Sequence, residues 1–142
     1  YSHPHLNNLG ESEISLEVEK VHDMIRDLTG REPELFRPPF GEYSNKVIKV
    51  LDQKGYKSIQ WSIDSLDWKD LSKEEIVNRV IDQLHPGAIV LLHNNGKHTA
   101  EALPLIIEKT EALGYNIIPV SELIYKDNYY IDSNSGAQVR KT

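Results

Sequence analysis

A chain of 142 residues with 39% hydrophobic and 27% charged side chains suffices for one domain with a real core. Its net charge of −6 argues against a nucleic-acid partner, since phosphate binding needs a basic surface, but does not exclude a neutral polymer substrate. No apolar run reaches membrane-spanning length, no signal peptide is visible, and the absence of cysteine rules out disulfides and thiolate zinc sites.

The only methionine is Met24, so a fragment or processed piece is expected. Ser2-His3-Pro4-His5 opens the chain in a loop-like setting. The first helix is expected over 12–29, with Ile14, Val18, Val21, Ile25 and Leu28 on one inward face. Gly30 stands where a left-handed cap belongs, and Pro33 prevents continuation. A short strand around Glu34 to Arg37 ends at Pro38-Pro39. Ser44 caps a second helix carrying Val47, Ile48 and Leu51, closed by Gly55. Lys57 to Ile63 alternates as a strand does. Ser72 and Glu75 form a capping box before Ile76, Val80 and Leu84.

After Pro86-Gly87, the run Ala88 to Leu92 is apolar on both faces, typical of a covered parallel strand. A fourth helix is expected over 100–113, with Leu103, Ile106, Ile107 and Leu113 inward and Pro104 in an early turn. Leu113 to Ile118 echoes Gly55 to Ile59, implying a further strand. A last helical turn runs from Ser121 to Tyr125. Residues 126–142 read as a tail lying on the surface or disordered. Strand and helix alternate, so the fold class is α/β, a parallel sheet or part of a (β/α) barrel. Four strands cannot close such a barrel.

Three strand ends carry chemistry: Arg37 after Phe36, Asp64 and Asp67 beside Trp68, and His93 after Leu91-Leu92. Carboxyl ends of parallel strands face a shared mouth, where active sites of this class lie. Arg37 can orient a carboxylate by a bidentate contact or hold a structural ion pair. Asp64 and Asp67 are candidate carboxylates or turn caps. His93 beside a carboxylate favours the protonated imidazole of a general acid, and Asp67 is the natural partner. His3 is a candidate metal ligand, with a surface loop histidine as the bland alternative. His5, two residues on, is badly placed for the same ion. His22, His85 and His98 are expected to be solvated bystanders.

Taken together, these motifs resemble the polysaccharide deacetylase family, the NodB-homology domain of carbohydrate esterases. Tyr1-Ser2-His3-Pro4 resembles the end of its His-Ser/Thr-x-x-His motif. Arg37-Pro38-Pro39-Phe40 resembles Arg-x-Pro-Phe/Tyr, Asp64-Ser65-Leu66-Asp67-Trp68 resembles Asp-x-x-Asp-Trp, and Leu91-Leu92-His93 resembles Leu-x-His. The resemblance covers 1–125 and implies the C-terminal portion of a distorted (β/α) barrel of the NodB-homology type.

It also implies a hydrolase removing N-acetyl groups from amino-sugar glycans, peptidoglycan first and chitin-like polymers next, with release of acetate. A divalent metal, zinc in most members, would be held by one Asp and two His. His3 corresponds to one of those histidines. His93 would protonate the departing amine, Asp67 would tune it, and Arg37 would orient a separate catalytic base. The Phe40 N–H would help stabilise the oxyanion, while Trp68 and Leu91 would wall the acetyl pocket. The Asp-Asp motif and the first histidine are absent from this sequence. The chain alone is therefore expected to bind zinc poorly and to be inactive, with the N-terminal half as a further expected partner. The resemblance places the protein outside a bacterial cell or in its envelope. The alternative is a non-catalytic module on a degenerate deacetylase fold that binds glycan or a partner protein.

Overall fold

The computed structural model describes residues 1–141, which form two compact units, residues 1–60 and the chain from Trp61 onward. The first unit runs through a 3-10 turn (Leu6–Asn8), α1 (Glu11–Thr29), β1 (Leu35–Phe36), a 3-10 turn (Pro39–Gly41), α2 (Asn45–Gln53) and β2 (Lys57–Ser58). Its core joins Ile14 and Val18 of α1 to Val47, Val50 and Leu51 of α2, with Leu6 and Tyr56.

Helix α1 starts where the Glu13 carboxylate accepts the Gly10 N–H at 2.8 Å. It stops at Gly30, whose φ of 67° suits glycine and lets its N–H reach the Arg26 carbonyl. The inward stripe is shorter than the periodicity predicts. Val21 is half-buried, Ile25 is exposed and Leu28 is 79% exposed. Nine residues of α2 span about 14 Å against about 28 Å for α1, so α2 covers only part of the stripe.

His22 is no bystander. Its Nδ1 lies 2.7 Å from the Tyr56 hydroxyl and its Nε2 lies 2.6 Å from Glu32, so it ties α1 to the residue before β2. Burial raises the Tyr56 phenol above its ordinary value, and the Glu32 charge adds to this. Tyr56→Phe removes that hydrogen bond without changing the ring packing. It should cost about 1 kcal/mol in urea denaturation.

Strands β1 and β2 pair in parallel, with Leu35 opposite Lys57 and Phe36 opposite Ser58. The alternating run from Lys57 to Ile63 is therefore two strands, not one. Its beginning pairs with β1, whereas Ser62 and Ile63 both donate to the Ile89 carbonyl.

The second unit contains β3 (Ile63–Asp64), a 3-10 turn (Asp67–Lys69), α3 (Lys73–Ile81), β4 (Val90–Leu91), α4 (Thr99–Ala112), α5 (Val120–Leu123), β5 (Tyr129–Ile131) and β6 (Gln138–Arg140). Strands β3 and β4 pair in parallel, Ile63 opposite Val90 and Asp64 opposite Leu91. Ser72 caps α3, accepting the Glu75 N–H while the Glu75 carboxylate takes the Ser72 N–H. Ile63, Ile76, Val77, Val80, Ala102 and Ile106 form the core.

On α4 the buried stripe is Ala102, Ile106 and Thr110, at i, i+4 and i+8. Leu103, Ile107 and Leu113, expected inward, are exposed instead. Ala102 and Ile106 face Ile76, Val77 and Val80 in one core, while Leu103 and Ile107, one position round the helix, flank it. Pro104 lies inside α4, whose helix continues past it. The echo of Gly55 to Ile59 at Leu113 to Ile118 yields no strand among the described residues, and Ile117 and Ile118 are exposed. The expected tail, 126–142, folds in its described part into an antiparallel hairpin of β5 and β6; Thr142 lies outside the described residues.

Candidate active site

The site loop of the second unit leaves β3 through a run of short-range contacts. The Asp64 carboxylate accepts the Leu66 N–H at 3.0 Å, so Asp64 is the turn-forming acid of the pair. Leu66 and Asp70, at φ 53° and 55°, bracket the Asp67–Lys69 turn in left-handed conformation. Such backbone costs about 1 kcal/mol or more per residue and concentrates at functional loops. Trp68 projects outward, 55% exposed, with the Lys69 ammonium 5.0 Å from its ring centre.

Asp67 turns the other way and is fully buried. Its Oδ1 receives the His93 ring Nδ1 at 2.7 Å. Its Oδ2 accepts the His93 backbone N–H at 2.8 Å and the Thr99 hydroxyl at 2.6 Å. Burial pushes the carboxyl upward, but donors from Thr99, His93 and Ser65 outweigh it and hold the group below its ordinary value. Asp67 is thus an ionised, fully hydrogen-bonded carboxylate whose charge faces one imidazole. His93 itself is 34% exposed at the side chain, reachable from solvent. With Nδ1 committed to Asp67, Nε2 is the ring nitrogen free to exchange a proton. Leu91 is buried, and its carbonyl accepts the Ser65 N–H at 3.2 Å.

The first unit carries the other candidates. Arg37 is exposed and makes no ion pair among the described residues, so of its two readings the structural ion pair is not seen among them. Pro38, buried, and Pro39, half-buried, lead to Phe40, which adopts φ 58°. The neighbouring amides of Gly41 and Glu42 donate back to Pro38 and Pro39, and Gln60 Nε2 holds the Gly41 carbonyl at 2.7 Å. The Phe40 ring stacks on His5 at 4.0 Å and meets His3 edge-on at 4.6 Å. His5 is further engaged by Glu42 at 3.0 Å.

No group of three His, Asp or Glu side chains among the described residues is arranged to hold a metal ion. His3 contributes a single imidazole against an aromatic ring. The donors of this chain do not fit a zinc site by themselves.

A family model for polysaccharide deacetylases matches residues 1–59. The peptidoglycan-N-acetylglucosamine deacetylase of Bacillus cereus is 31% identical over 127 residues, 87% of this chain and 46% of that protein. The peptidoglycan-N-acetylmuramic acid deacetylase of Bacillus subtilis is 31% identical over 137 residues, 94% of this chain and 52% of that one. This chain belongs to the polysaccharide deacetylase family. A solved family 4 carbohydrate esterase pseudoenzyme from Bacillus anthracis superposes with a TM-score of 0.82 at 35% identity, over 87% of this chain and 43% of that structure.

The fold class is accordingly the α/β one of the NodB-type deacetylases, whose distorted barrel this chain represents in part. The chain spans about half the length of the curated relatives it matches. No helix among the described residues is long and apolar enough to cross a membrane. Thr99 and Gly96 lie outside the motifs. Thr99 is the first residue of α4, and nothing in its local sequence signals that its hydroxyl reaches a carboxylate 32 residues away.

Proposed function

We propose that this chain is the acid-side portion of a hydrolase that removes N-acetyl groups from the amino sugars of peptidoglycan, releasing acetate. The observation that carries the reading is the ionised, buried Asp67 bound to His93 Nδ1. In amide hydrolysis water adds to the acetyl carbon, the C–N bond breaks, and the nitrogen leaves as an amine only after gaining a proton. On this reading His93 Nε2 delivers that proton, and Asp67 stabilises the imidazolium and fixes the tautomer of the neutral ring that remains. Asp67 stays ionised and moves no proton itself.

Arg37, with its guanidinium uncommitted, orients a carboxylate. The Phe40 N–H, in the tight turn after Pro39, donates to the developing oxyanion. Trp68 and Leu91 wall the acetyl methyl group. Zinc is the metal this reading names for the family's site, and His3 is the donor this chain brings to it. Peptidoglycan as substrate places the protein at the bacterial envelope, and the Bacillus relatives named above support that choice.

A second reading has one specific support, the 35% identity to a pseudoenzyme. On this second reading the chain is part of a fold that binds glycan without hydrolysing it. Acetate release from N-acetylated muropeptides by the intact protein separates the two. With wild type active, His93→Ala should lower kcat about 10²- to 10⁴-fold. Muropeptide binding without acetate release by the intact wild type would leave only the binding module standing.

A further inference from the structure

Building on that reading, we propose that Thr99, seated against Gly96, is the positioning residue that aims the Asp67 carboxylate at His93. A carboxylate turns about its last torsion in a broad, two-fold well, so one contact does not fix its plane. Here the two oxygens are separated in role. Oδ1 serves the imidazole, and Oδ2 is anchored twice, by the His93 amide at 2.8 Å and by the Thr99 hydroxyl at 2.6 Å. The short hydroxyl contact to an ionised acceptor is of the strong, charge-assisted kind.

Thr99 can make it because it opens α4, where its side chain projects from the helix start rather than from a buried face. Gly96 clears the space. A Cβ there would overlap the Thr99 hydroxyl and stand 3.0 Å from Asp67 Oδ2. Gly96 has no left-handed backbone, so what requires glycine is this close approach and not a turn. Two residues outside the motif positions thus shape the carboxylate's surroundings. The imidazole depends on them through Asp67.

The experiment is nitrogen-15 NMR of the histidine rings in the 142-residue chain. Wild type should show His93 protonated at Nδ1 with a slowly exchanging ring proton. Thr99→Val, of the same shape, should lose that protection and mix tautomers, while Thr99→Ser restores it. Gly96→Ala should mimic Thr99→Val and supplies the same readout if the valine variant fails to fold. In the intact enzyme, Thr99→Val should lower kcat about ten- to hundredfold, with KM unchanged.

A purely structural role would lower the melting temperature of Thr99→Val and leave the tautomer of its folded fraction intact. Retained Nδ1 protection in both Thr99→Val and Gly96→Ala would overturn the proposal while leaving the Asp67–His93 pair in place. Absence of Nδ1 protonation in wild type would overturn the pair and the role of Thr99 with it.

Discussion

On the proposed function, Asp67→Asn should cut the deacetylation rate of the intact protein about 10³- to 10⁴-fold while changing the shape of the site little. Asparagine has one acceptor oxygen where the carboxylate has two. The backbone N–H of His93 and the Thr99 hydroxyl both point at the Oδ2 position, so the amide oxygen settles there. The amide NH2 then faces His93 Nδ1, which must become an acceptor. That reverses the tautomer and removes the counter-charge of the imidazolium, so the ring loses the proton-donor role proposed for it. The substitution should also lower stability by about 1–3 kcal/mol, since hydrogen bonds to a charged acceptor are replaced by weaker ones.

The same variant has a pH signature. The Asp67 carboxyl is held below its ordinary 3.8, so the folded state binds its proton less readily than the unfolded chain. Its contribution to stability is therefore complete above the unfolded value and lost as pH falls through the lower folded one. Asp67→Asn lacks that titration. The gap between wild type and variant should be widest near neutrality and close in acid, as followed by urea midpoints at stepped pH. A constant gap would contradict the assignment of an ionised Asp67.

The pairing of Asp67 with His93 was legible because both residues follow within a few positions of short apolar strands, β3 and β4, and parallel strands bring their carboxyl ends together. The choice between Asp64 and Asp67 was not so plain. Asp64 stands in the same motif, but its carboxylate is taken by the Leu66 N–H two residues on. The helices and their caps were readable from local chemistry, as at Gly30, Ser44 and Ser72.

What local patterns could not give was how far a partner extends. Leu28 and Leu113 sit at inward-looking positions of good periodic stripes and still face outward, because no described element reaches them. His22 failed for the converse reason. It lies on a polar helix face, yet Tyr56 and Glu32, distant in sequence, converge on its ring. Thr99 is hidden for the same reason, since a hydroxyl at a helix start reads as a surface feature until the loop carrying Asp67 is laid against it.

Ile63→Ala should destabilise the second unit by about 2–5 kcal/mol, the range for truncating a fully buried aliphatic side chain. Ile63 is completely buried, packs with Ile76, Val80 and Ile106, and stands in β3 opposite Val90. Four residues later the chain places Asp67, so Ile63 anchors the strand from which the carboxylate loop departs. The expected outcome is a marked drop in the melting temperature of the unit. His93 should keep its Nδ1 proton in whatever fraction stays folded, because the site contacts themselves are untouched. Leu103→Ala, on the exposed face of α4, should change stability by no more than about 0.5 kcal/mol. If the Leu103 variant proved as costly as the Ile63 variant, that face of α4 would be buried in solution, and the apolar stripe drawn from the helix period would extend further than Ala102, Ile106 and Thr110.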